Sequence, residues 1–136
     1  MNRIKDKINE IEGYLDDLET ILPKNFEEYE SNLEKRLACE RSFERIIESL
    51  VDLAYIFISF KRFPKPTEEK RCFQMLFGKD IIPEELFKRL EDAKGMRNIL
   101  AHEYGSIDDE MVFDAVINEI KEDAEQFIKY IKKEIS

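Results

Sequence analysis

Apolar residues recur at three- and four-residue steps along most of this chain, and that spacing admits helices and little else. Ile4, Ile8, Ile11, Leu15, Leu18 and Leu22 form one stripe, the signature of a helix that buries one face. Pro23 stops it. A second, longer pattern runs from near Phe26 through Leu33, Leu37, Ile46, Leu50, Leu53 and Phe57. It predicts one unbroken helix ending before Pro64, because a residue preceding proline avoids the helical region. Its first half is charged and its second half apolar nearly all round, so it needs cover from more than one neighbour. "FPKPTEEK" (63–70) reads as a loop with a helix start, Thr67 as N-cap and Glu68 and Glu69 in the first turn. A short helix follows to Phe77, with Gly78 at its C-terminal end.

Pro83 suits the first position of a fourth helix, and Gly105 ends it. Ser106 with Asp109 forms a weak capping box, with Asp108 as the rival N-cap. Phe113, Ile117, Ile120, Ala124, Phe127 and Ile131 then line one face of a fifth helix. Four glycines and four prolines leave too few turns for a many-stranded sandwich. The expected fold is all-α: a single domain over residues 1–136, an antiparallel bundle of about five helices, two of them long.

Several function classes fall away. Met1 leads straight into a charged amphipathic segment, so no signal peptide is expected and the chain reads as cytoplasmic. "IIESLVDLAYIFISF" (46–60) is too short for a membrane span and is interrupted by Glu48 and Asp52. It reads as a buried helix or an oligomer interface. Cys39 and Cys72 form no CxxC pair, and His102 is the one histidine. A Cys/His zinc site and a di-iron bundle are therefore out of reach, and reduced thiols are the simplest reading. No phosphate-cradling glycine loop is present and no cofactor is implied. The net charge of −9 argues against indiscriminate nucleic-acid binding. The charge is uneven, however. Residues 61–97 hold 10 Lys/Arg against 7 Asp/Glu, while the remainder holds 12 against 24.

The densest chemistry lies in "MRNILAHEYG" (96–105). At about 100° per residue, Leu86, Leu90, Ala93, Leu100 and Ala101 share one stripe of the fourth helix, with Arg97 near its middle. Tyr104 lies one heptad further along. An arginine there is costly unless its charge is paired or wet. His102, five residues after Arg97, falls roughly 140° around the helix. Either the helix unwinds before Gly105, or the two groups meet those of a second copy. Gly95 is a further departure, because it weakens a helix and lets something approach the backbone. Taken singly, such an arginine, histidine and tyrosine are ordinary helix residues; together they suit a phosphodiester. Arginine grips phosphate oxygens, histidine moves protons near neutral pH, and RNA brings its own 2′-hydroxyl nucleophile. An acid and a base are both wanted, and a symmetric dimer supplies two histidines.

"RNILAHEY" resembles the R-x4-H-x-Y signature of HEPN-domain proteins, specifically the HepT-like toxins. Arg97, His102 and Tyr104 fall on its three positions, and Asn98 matches the polar residue that follows the arginine. Chain length and helix layout also look like HepT. The resemblance implies an all-α, metal-independent ribonuclease toxin that dimerises so that two motifs share a cleft. Arg97 and His102 would be catalytic and Asn98 supporting. It also implies a minimal nucleotidyltransferase antitoxin, MntA-like, that transfers AMP onto Tyr104. AMP there would put bulk and negative charge beside Arg97.

Two other readings fit the same residues. One is a non-catalytic, nucleotide- or substrate-binding partner of a nucleotidyltransferase, its acidic surface facing a basic protein. The other is a plain helical dimerisation module, which leaves Arg97 unexplained.

Overall fold

In the computed structural model, residues 1–68, 71–102 and 108–136 are described. Helix α1 (Asn2–Ile21) buries Ile4, Ile8, Ile11, Leu15 and Leu18, as the stripe predicts. Leu22 then turns extended ahead of Pro23.

The second pattern is two helices rather than one, and Asn32 divides them. Its backbone N–H closes α2 (Phe26–Ser31) on the Glu28 carbonyl. Its side-chain oxygen accepts the Lys35 N–H at 3.0 Å and opens α3 (Leu33–Phe60). Asparagine can do both because its short side chain reaches backbone groups that a helix end leaves unpaired. Asn25 caps α2 in the same way.

Helix α3 is the centre of the bundle, packed against α1, α2 and the later helices. Ile46, Ile47, Leu50, Val51, Leu53, Ala54, Phe57 and Ile58 are all buried, so the apolar stretch is a core helix. It ends in a Schellman motif, with Phe63 N–H bonded to the Ile58 carbonyl at 3.1 Å. The left-handed residue of that motif is Arg62 (φ 59°), not glycine.

Helix α4 is short (Cys72–Gly78) and starts after Arg71 with no side-chain cap, so Thr67 is not its N-cap. Before it, the Arg71 N–H bonds the Glu68 carbonyl at 3.0 Å. Asp80 (φ 60°) makes the same left-handed ending as Arg62, with Ile81 N–H on the Leu76 carbonyl.

Helix α5 (Glu84–His102) begins one residue after Pro83, whose carbonyl accepts the Phe87 N–H at 3.0 Å. Asp108 caps α6 (Asp109–Asp114) by accepting from the Glu110 and Met111 N–H groups. Ser106, Tyr104 and Gly105 lie outside the described residues. A π-helical turn (Ala115–Glu119) joins α6 directly to α7 (Ile120–Ile135), so the predicted fifth helix is continuous but locally underwound.

Tyr29, Phe43, Phe57, Phe73 and Phe127 are fully buried at the centre, with Phe73 edge-on to Phe127. Among the described residues no strand occurs, and no helix is long and apolar enough to cross a membrane. Cys39 and Cys72 are both buried and not joined in a disulfide, and burial pushes the Cys39 thiol up to about 11.

Candidate active site

Helix α5 carries the motif, and three sets of contacts fix its position. On its core side Leu86, Leu90, Lys94 and Leu100 are buried. Arg89 ties it to α7 as a fork: Nε donates to Asp123 Oδ1 at 2.7 Å and Nη2 to Gln126 Oε1 at 2.9 Å. Its Nη1 also lies 3.1 Å from Glu85 Oε1. Asp123 is 4% exposed. Burial pushes its carboxyl up, and the hydrogen bond and charge of Arg89 act against that rise. Lys94 is the third anchor. It is buried to its tip, with Nζ 3.5 Å from Glu91 and 5.4 Å above the Phe73 ring, so a carboxylate and an aromatic face stand in for water around the ammonium.

The helix runs unbroken through His102, so it does not unwind to bring Arg97 and His102 together. Arg97 sits on the inward aspect, with only 18% of its side chain exposed and Nη1 3.9 Å from Glu48 Oε1 on α3. His102 and Asn98 are exposed on other aspects. Ala101 is exposed too and is not part of the buried stripe. Tyr104 lies outside the described residues. One chain therefore offers a recessed guanidinium and an exposed imidazole on different aspects of the same helix. Glu48, Lys94 and Arg89 are the contributors the sequence reading passed over. For Glu48 a signal existed, since it interrupts an otherwise apolar run.

Ile99, beside the motif, and Met111, on the helix that follows it, are 50% and 59% exposed. Gly95 has open space where a side chain would begin, so nothing among the described residues uses its bare backbone. Gly95→Ala is expected to raise stability by roughly 0.5–1 kcal/mol, read as a higher urea midpoint with unchanged slope. A lower midpoint would mean that α5 is not a regular helix there.

A small groove of about 240 Å³ separates α5 from the π turn, with Met96 and Ala93 on one side and Met111 and Ala115 on the other. Asp92, Asp114, Glu119 and Asp123 edge it. Burial first, then the neighbouring Asp123, Asp114 and Asp92 charges, push the Glu119 carboxyl up. Such a groove repels phosphate. Among the described residues no group of three or more His, Cys, Asp or Glu is placed to hold a metal ion.

Comparison with known proteins defines the class first. The model of the family described as ribonuclease HepT-like matches residues 11–131. A tRNA nuclease HepT of Aphanizomenon flos-aquae is 30% identical over 113 residues, spanning 83% of this chain and 77% of that one. An mRNA nuclease HepT of Shewanella oneidensis is 29% identical over 93 residues, spanning 68% and 69%.

The fold agrees. The tri-AMPylated Shewanella oneidensis HEPN toxin, solved in complex with its MNT antitoxin, superposes with a TM-score of 0.87 at 23% identity over 96% of each chain. A toxin–antitoxin structure with AMP-PNP gives 0.88 at 22% identity, covering 98% of this chain and 99% of that one. The chain belongs to the ribonuclease HepT-like family, and the resemblance read from "RNILAHEY" is borne out with its all-α HEPN fold.

Proposed function

We propose that this chain is the toxin of a toxin–antitoxin pair, a metal-independent endoribonuclease that works as a homodimer in the cytoplasm. The observation that carries the reading is the geometry of α5. Arg97 is recessed against Glu48, while His102 stands exposed at the helix end, so a single chain presents half a site. Two chains related by a twofold axis supply two of each group. The exposed Ile99 and Met111 beside the motif give such a seam apolar surface to bury.

The chemistry then follows. Arg97 holds the non-bridging oxygens of the scissile phosphate and stabilises the charge that builds on them. One imidazole takes the proton of the 2′-hydroxyl as its oxygen bonds to phosphorus. The bond to the 5′-oxygen breaks, and the second imidazole protonates that oxygen. The products are a 2′,3′-cyclic phosphate end and a 5′-hydroxyl end. Asn98 supports this arrangement as a hydrogen-bonding neighbour of Arg97.

We further infer that a minimal nucleotidyltransferase, MntA-like, silences the protein by transferring AMP from ATP to Tyr104. The AMPylated state of the similar Shewanella toxin, in complex with its antitoxin, supports this. A phosphate next to Arg97 competes with substrate phosphate for the same donors.

The test is RNA incubated with the purified chain in EDTA, with the new ends analysed. Cyclic-phosphate ends are expected, and His102→Ala should abolish them. The net charge of −9 favours a second reading, a non-catalytic nucleotide-binding partner of a nucleotidyltransferase. Tight nucleotide binding with no RNA turnover would select it.

A further inference from the structure

Away from the motif, a groove of about 740 Å³ opens between the start of α1, the second half of α3 and the loop after it. Among the described residues its cations are Arg3, Arg62 and Lys65, and no carboxylate lines it. In a chain of net charge −9 that local balance is unusual. Among the described residues none of the three is ion-paired, whereas their neighbours Lys61 and Arg71 are tied to Glu134 and Glu68. Arg62 also holds a left-handed backbone (φ 59°) at a helix ending where glycine is the low-cost choice. Tyr55, half-buried, contributes an aromatic face, and Ser59 a hydroxyl.

The groove and the contact with Arg97 lie along one face of α3. Glu48, Asp52, Tyr55 and Ser59 follow one another at steps of four, three and four, so they share a face. Glu48 meets Arg97 at one end, and Tyr55 and Ser59 line the groove at the other. Between them Lys7 lies 3.6 Å from the Asp52 carboxylate and 3.0 Å from Glu10, and offsets part of their negative charge. At 1.5 Å per residue, Tyr55 lies about 10 Å and Ser59 about 16 Å along the axis from Glu48. A stacked strand rises about 3.4 Å per nucleotide, so the span is roughly three to five nucleotides.

We propose that this groove is a second RNA-binding subsite. It holds the phosphodiester backbone roughly three to five nucleotides from the phosphate at Arg97, with Arg3, Arg62 and Lys65 on phosphates and Tyr55 stacking a base. This rests on the ribonuclease reading and adds to it a reach along single-stranded RNA. A free mononucleotide offers the same phosphate chemistry, and the test separates the two.

The probes are fluorescent 2′-O-methyl oligoribonucleotides of about 4 and about 16 nucleotides, which lack the attacking hydroxyl and report binding alone. Wild-type protein is expected to bind the longer one at least about tenfold more tightly. Arg62→Gly, and separately Arg3→Ser with Lys65→Ser, should weaken the longer probe several-fold to about tenfold. They should also flatten its salt dependence by roughly 0.7 per cation removed. Glycine relieves the left-handed strain at position 62, so the Arg62→Gly protein should melt no lower than wild type, which excludes misfolding as the cause. Unchanged affinity and salt slope in both variants would overturn the proposal. So would AMP that displaces the longer probe while chain length makes no difference, since that outcome assigns the groove to a mononucleotide. Cleavage of unmodified RNA by wild-type protein is scored separately. A chain that cleaves RNA but binds alike in all variants loses the groove and keeps its function.

Discussion

Arg97→Ala is expected to slow RNA cleavage about 10²–10³-fold, the usual cost of removing one preorganised donor from a charge-developing site, with the fold retained. The fold should survive because the contact with Glu48 is long, 3.9 Å, and Glu48 is about half exposed; ion pairs of that kind contribute little to stability. Arg97→Lys should recover only a small part of the rate. A lysine keeps the charge but loses the planar fork that grips two phosphate oxygens. Single-turnover rates on one RNA, with urea midpoints for each variant, settle it. Rates within a few-fold of wild type in well-folded Arg97→Ala protein would remove Arg97 from the mechanism.

The largest loss of stability should come from Arg89→Met. It leaves Asp123, 4% exposed, as a buried carboxylate without its counter-charge. Breaking a buried pair costs about 3–5 kcal/mol. Arg89 is itself one-third exposed, so we expect about 2–3 kcal/mol here. The pH dependence is a second signature. Burial already raises the Asp123 carboxyl above its ordinary range, and losing Arg89 raises it further. A carboxyl raised in the folded state destabilises that state when ionised, above its folded pKa, and the penalty is relieved as pH falls through it. The deficit of Arg89→Met should therefore shrink between pH 7 and pH 4. Arg89→Met combined with Asp123→Leu should regain most of the stability, because replacing both partners leaves no stranded charge. A single variant as stable as wild type at pH 7 would show that α5 and α7 are held by packing alone.

Much of this fold was legible because its core is helical and its apolar spacing is regular. The stripe of α1 and the Asp108 cap needed no tertiary information. The break at Asn32 did. Phe26, Leu33 and Leu37 continue one helical spacing across it, yet Leu33 and Leu37 are 56% and 50% exposed, so the spacing there reflected no buried face. Lys94 escaped notice because residue type suggests solvent, while its ammonium sits over the Phe73 ring. In the motif, 100° arithmetic placed Arg97 inward and His102 aside, and an unbroken α5 keeps them so. The basic groove was beyond reach. The mild excess of cations between 61 and 97 hinted at it, but Arg3 joins Arg62 and Lys65 only because α1 lies along α3.

The two buried thiols have a practical consequence. Alkylating reagents and crosslinkers attack exposed thiolates, so the native protein presents them with little to modify. A single cysteine introduced at Ile99 would then be the one fast-reacting sulfur on the chain. Its capture by an identical cysteine in solution would map a twofold axis to within a few ångströms.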